Sequence, residues 1–182
     1  QFALLYKQQQ LNEIKKKFKE KINLCEVGGG FGAFVDVFSQ TYSNVNRILL
    51  VDIFPIIYFS TQYLRFRYGS QNVADYNDFR EKNNRFYNAK IVCLPSWAIN
   101  EFKDFKIDIF WSSSAFQEMD EAHINNYVKN FKKIGNKNSY LICFNYEQHI
   151  KNAPNNPQKV TKLFNKKFKN IGKSIKIDLD IK

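Results

Sequence analysis

Cysteine is scarce in this sequence, and the three present, Cys25, Cys93 and Cys143, are odd in number and nowhere spaced as a Cys-x-x-Cys pair. That excludes a disulfide framework and a cysteine-held zinc site. Each falls inside an expected strand, so all three read as small core residues of a reducing compartment. No apolar run is long enough for a bilayer, since the longest, residues 48–59, is interrupted by Asp52 and Pro55. No signal peptide stands out, and a cytoplasmic location is the expectation. There is no internal repeat, no arginine-rich tract and no alternation of basic and aromatic residues, so no nucleic-acid module is expected. No carboxylates cluster at the spacing of a hard-metal site, so no metal is expected.

Positive charge is in excess. Lysine and arginine number 28 against 17 acidic residues, a formal net charge of +11. Clusters such as Lys15-Lys16-Lys17, Lys132-Lys133 and Lys166-Lys167-Phe168-Lys169 could attract acidic glycans, nucleic acid or an anionic membrane surface. They read first as solvated lysine faces, because nothing of a recognition module accompanies them. At 182 residues the chain is one domain by size, and 44% hydrophobic with 25% charged residues is ordinary for a globular protein.

Glycine is unevenly spread: four of the seven fall between positions 28 and 32. An apolar run (residues 22–25) enters that stretch and an apolar-periodic run (Phe34, Val35, Phe38) leaves it, which reads as strand, glycine turn, helix. Glycines so dense serve positive φ or the close approach of something to the backbone. In an open α/β sheet the turn after the first strand is where nucleotide-like ligands bind, at a helix N-terminus. Gly28-x-Gly30-x-x-Ala33 fits a dinucleotide fingerprint. Glu26-x-Gly28-x-Gly30-x-Gly32 resembles motif I of class I S-adenosylmethionine-dependent methyltransferases. A carboxylate at Glu26 repels a pyrophosphate and attracts a ligand bearing an ammonium and a sulfonium, which favours the second reading.

Elsewhere the pattern alternates helix and strand. Residues 2–22 space Leu4, Leu11, Ile14, Phe18 and Ile22 as an amphipathic helix. Residues 47–51 form a strand ending at Asp52, about 20 residues past the glycines, where a ribose diol is held. Pro55 opens a helix whose expected apolar face is Ile56, Phe59, Tyr63 and Phe66, ending at Gly69. A short helix is expected over 76–85, strands over 90–94 and 107–111, and a short helix over 97–105 between them. Asp120 caps a helix with Ile124, Tyr127, Val128, Phe131 and Ile134 on its apolar face, closed by Gly135. A fifth strand spans 139–144, and a basic helix (158–168) and one alternating strand (174–181) end the chain. The expected architecture is α/β, a doubly wound, mostly parallel sheet. Its parts are an N-terminal helix (1–21), a cofactor-binding core (22–149) and a C-terminal segment (150–182).

Glu26 to Gly32, Asp52-Ile53-Phe54-Pro55, Ser114-Ala115-Phe116-Gln117-Glu118-Met119 and Asn145-Tyr146-Glu147 together resemble the sugar O-methyltransferase family of class I methyltransferases. The likeness covers roughly residues 11–149 and implies a Rossmann-like fold, which normally ends in an antiparallel hairpin. With only one strand after residue 150, that hairpin is expected to be incomplete. It implies S-adenosylmethionine as cofactor, bound by Glu26, Gly28, Gly30, Gly32 and Asp52. Ile53 would lie against the adenine, Leu94, Ser96 and Trp97 would flank it, and Ser113 would stand near the methionyl group. The acceptor implied is a sugar or glycan hydroxyl, acidic glycans being compatible with the charge, and no nucleic-acid partner is expected. Such a hydroxyl benefits from a base in hydrogen-bond reach. Glu118 is the first candidate, with His123, Glu147 and His149 the other titratable groups at the carboxyl edge of the sheet.

Three rival readings are open. A nicotinamide-dependent short-chain sugar enzyme would carry Tyr-x-x-x-Lys, and no tyrosine here has lysine four residues later. An RNA methyltransferase would carry an Asn-Pro-Pro-Tyr type motif, which is missing after the fourth strand. A non-catalytic methyltransferase-like binding protein is compatible with an incomplete hairpin.

Overall fold

A computed structural model of the chain describes residues 20–144, 160 and 162–164. Six parallel strands form one sheet: β1 (Ile22–Val27), β2 (Val45–Asp52), β3 (Val73–Ala74), β4 (Ile91–Pro95), β5 (Ile107–Ser113) and β6 (Gly135–Phe144). Their order is β3-β4-β2-β1-β5-β6, every neighbouring pair being parallel. β1, β2, β4 and β5 are apolar and buried along most of their length, as expected of parallel strands covered on both faces. The five strands read from residues 22–144 are all present. The two-residue β3 is an addition, too short to leave a periodic signature, and the strand read over 174–181 lies outside the described residues.

Helices cover both faces. α1 (Ala33–Thr41) and α2 (Ile56–Tyr68) lie on one, where Phe34, Phe38, Ile57 and Leu64 meet Leu50 and Trp111. Phe34 stacks on Trp111 with ring centroids 4.1 Å apart. On the other face, α3 (Tyr76–Glu81), α4 (Asn84–Asn88), α5 (Ala115–Glu118) and α6 (Glu121–Ile134) close over Cys25, Val27, Val51 and Phe110. Val160 and Phe164 join this second core, Phe164 edge-on to Phe116. The N-terminal helix read over 2–22 lies outside the described residues, apart from Ile22, which belongs to β1.

Three local expectations are corrected. The helix read over 76–85 is two, because Lys82 takes φ 51° and the Asn83 side chain then caps α4 by accepting from the Phe86 N–H. Residues 97–105 hold only a 3-10 turn, Ser96–Asn100. Gly135 closes α6 as read, its N–H capping the Phe131 carbonyl, and with φ −70° and ψ 152° it also begins β6 directly. A Cβ there would lie 2.7 Å from the Phe131 carbonyl oxygen, so glycine is what permits the abrupt change from helix to strand.

The largest correction concerns α2. Its buried residues are Ile57, Ser60, Thr61 and Leu64, not the stripe Ile56, Phe59, Tyr63 and Phe66, and Phe66 is 86% exposed. Small hydroxyl residues let the helix approach the glycine turn. The Ser60 hydroxyl donates to the Gly30 carbonyl and lies 2.9 Å from the Ile56 carbonyl, and Thr61 Oγ1 donates to the Ile57 carbonyl at 2.7 Å. Satisfied in this way, the two hydroxyls cost little on burial.

Candidate functional site

The topology fixes where a ligand can sit. From β1 the chain proceeds to β2 and β4 on one side, then returns to place β5 on the other, so the sheet's switch point lies between the carboxyl ends of β1 and β5. Two turns meet there. Gly28, at φ +73°, would carry a Cβ only 2.2 Å from the Ala115 Cβ, so the turn after β1 packs directly on the start of α5. Ser114, the residue before Ala115, is a non-glycine residue at φ 67°.

The glycine turn is held mainly from below. Gly28 N–H donates to the Val51 carbonyl at 2.8 Å, Gly32 N–H to the Gly29 carbonyl at 3.0 Å, and Gly30 N–H to Asp52 Oδ2 at 2.8 Å. Gly30, at φ +56°, has nothing within 4 Å of where a Cβ would stand, so its outer face is open. The glycines are thus explained by the chain's own geometry, and Gly30 is the one that leaves room for a visitor.

Two carboxylates border the turn. Glu26, in register with Leu50 and Trp111, is 2% exposed, and its Oε2 lies 2.7 Å from the position of a Cβ on Gly29. Its side chain therefore ends beneath the turn. Asp52 closes β2 and also accepts the Ile53 N–H through Oδ1 at 2.7 Å. Burial raises the Asp52 pKa above the ordinary carboxylate value, against the opposing pull of the Gly30 and Ile53 amides. Each of its oxygens accepts one bond, which leaves acceptor capacity for further donors. Ile53 and Phe54 follow, both exposed.

The other candidates from the sequence are scattered around this edge. Leu94 is in the core, Ser96 is half-buried, and Trp97 is exposed with its ring edge-on to Tyr76. Ser113, half-buried, ends β5. Glu118 is exposed at the last position of α5. His123 is exposed on the first turn of α6, its Nδ1 2.7 Å from Asp120 Oδ1 and its N–H donating to the same oxygen. Among the described residues no hydrogen bond or ion pair joins Glu118 to His123. Glu147 and His149 lie outside the described residues.

Three contributors escaped the sequence reading. Ser60 and Ala115 reach the glycine turn only through tertiary packing. Ser112, 1% exposed beside Val27, has an Oγ with no hydrogen-bond partner among the described residues. Of the polar residues on β5, Asp108, Ser112 and Ser113, it alone is buried.

No family model matches the chain, and no curated protein does either. Solved structures do resemble it. A protein from Pseudomonas syringae described as a candidate methyltransferase superposes with a TM-score of 0.57 at 9% identity, over 90% of this chain and 87% of that one. A SAM-dependent methyltransferase from Aquifex aeolicus gives 0.55 at 14% identity, over 85% and 76%. A protein from Pyrococcus horikoshii OT3 gives 0.50 at 12%, over 75% and 51%. The chain spans only 30%, 35% and 34% of the length of three larger structures it also matches. The likeness establishes the fold: a Rossmann-like parallel sheet of the kind found in class I methyltransferases.

Proposed function

We propose that this chain is an S-adenosylmethionine-dependent O-methyltransferase whose acceptor is the hydroxyl of a sugar or glycan. One observation carries the cofactor reading: the N–H groups of Gly28, Gly30 and Gly32 are all bonded within the protein, and carboxylates stand beneath and beside the turn. A pyrophosphate needs free N–H groups and no nearby anion. A ligand with a positive methionyl end and a ribose diol needs the reverse. The fold shared with the Aquifex enzyme supports the same reading.

The residues fit such a ligand. Asp52 has acceptor capacity for ribose hydroxyls, Glu26 places a carboxyl group under the turn, and the open face of Gly30 gives the cofactor a close approach. When bound, S-adenosylmethionine supplies a methyl group on a sulfonium. The chain's part is alignment of the acceptor oxygen and removal of its proton, and Glu118, exposed at this edge, is the carboxylate assigned to accept it. The sugar acceptor rests on the sequence resemblance around Ser114 to Met119.

Paired variants test the roles. Asp52→Asn should weaken cofactor binding by at least tenfold. Glu118→Gln should leave binding within about twofold and lower transfer to a glycan acceptor by roughly a hundredfold, within the usual range for a general base. Equal loss of binding and transfer in both variants would contradict the assignment.

A further inference from the structure

Helix α2 is apolar on both sides. Opposite the buried Ile57, Ser60, Thr61 and Leu64, the residues Tyr58, Phe59, Gln62 and Phe66 share an arc of about 100°. Phe66 is 86% exposed, Tyr58 55% and Phe59 50%, and Phe54, 64% exposed, extends the patch at the start of the helix. A helix apolar all round is ordinarily covered on all sides. With Ile56 these side chains present an area on the order of 600 Å², built from aromatic groups of about 200 Å² each. That stands at the top of the roughly 300–600 Å² of the largest patch on a typical monomer and approaches the roughly 800 Å² that each partner gives a standard interface.

We infer that this face is the interface of a homodimer in which two α2 helices pack antiparallel across a two-fold axis at Gln62. Two features name a second copy as the occupant. The face is self-complementary about Gln62: Phe59 and Tyr58 lie three and four residues before it, and Phe66 four after. A two-fold crossing there sets Phe66 of one copy against Tyr58 and Phe59 of the other and brings the two Gln62 amides together. The face is also electrically quiet. α2 has no acidic residue, and its two arginines are engaged within their own subunit, Arg65 with Asp75 at 3.0 Å and Arg67 with Asp36 at 3.1 Å. In a molecule of net charge +11, two copies approach most easily through such a face. The association is independent of the chemistry at the carboxyl edge.

Sedimentation velocity of the full chain over a wide concentration range tests this. Expected are a dimer that dissociates on dilution, and a monomer for Phe66→Glu, with association weakened at least a hundredfold and an unchanged circular dichroism spectrum. Under mild oxidation Gln62→Cys should form an interchain disulfide that the wild type and Asn125→Cys, an exposed position on α6, do not form. A wild type monomeric at every concentration would overturn the proposal, as would a dimer indifferent to Phe66→Glu or a Gln62→Cys variant that does not cross-link. So would a monomer that loses thermal stability with Phe66→Glu, which would put a segment of the same chain over this face, or one that binds anionic vesicles through it.

Discussion

Asp36 sits between α1 and α2 and accepts from Tyr68 at 2.6 Å, Gln40 at 2.7 Å, Tyr63 at 2.8 Å and Arg67 at 3.1 Å. Burial would raise its pKa, and these donors outweigh burial and hold it at about 2. With the folded value below the unfolded one, its contribution is present above the ordinary carboxylate value and is lost as pH falls through about 2. Asp36→Asn should remove roughly 1–2 kcal/mol of stability at neutral pH and flatten the acid limb of a urea-unfolding pH profile. Asp52 has the opposite sign. Its folded pKa is raised, so ionising it in the folded chain costs stability as pH rises from the ordinary carboxylate value through the folded one. Hydroxyl donors from a ligand would relieve that cost. Cofactor affinity should therefore fall as pH drops through the Asp52 value, and Asp52→Asn should abolish that dependence in a titration series. At Gly28 both positive φ and contact with Ala115 bar a side chain. Gly28→Ala should destabilise by about 3 kcal/mol, and adding Ala115→Gly should restore only the contact part.

At the scale of elements, the five longer strands and α1 were legible because each carries one pattern, a continuous apolar run or a single helical period. The glycine turn and Asp52 were legible because their spacing is local. α2 was misread because two apolar periods overlap in it, and the hidden one includes Ser60 and Thr61, whose hydroxyls are satisfied in ways no hydropathy pattern records. The contacts that complete the site, Ser60 to Gly30 and Ala115 to Gly28, join separate crossovers and have no sequence signature. The corrected orientation makes a quantitative statement. Leu64→Ala should cost about 3 kcal/mol in chemical denaturation, while Phe66→Ala in dilute solution should cost under about 0.5 kcal/mol. A helix rotated to bury Phe66 would reverse that order.

For the whole molecule, a six-stranded parallel sheet puts a topological switch beside a turn whose Gly28, Gly30 and Gly32 amides are already bonded and whose neighbours are acids. The sequence foretold the sheet and the acids. It did not foretell that the amides would be occupied, because that depends on the register of β1 against β2 and on the reach of Asp52. The choice of ligand follows from this arrangement, and isothermal titration of the chain with S-adenosylhomocysteine and, separately, NAD tests it most directly. Saturable one-to-one binding of S-adenosylhomocysteine, weakened at least tenfold in Asp52→Asn, with no heat from NAD, is the predicted result. Binding of NAD with none of S-adenosylhomocysteine would contradict it.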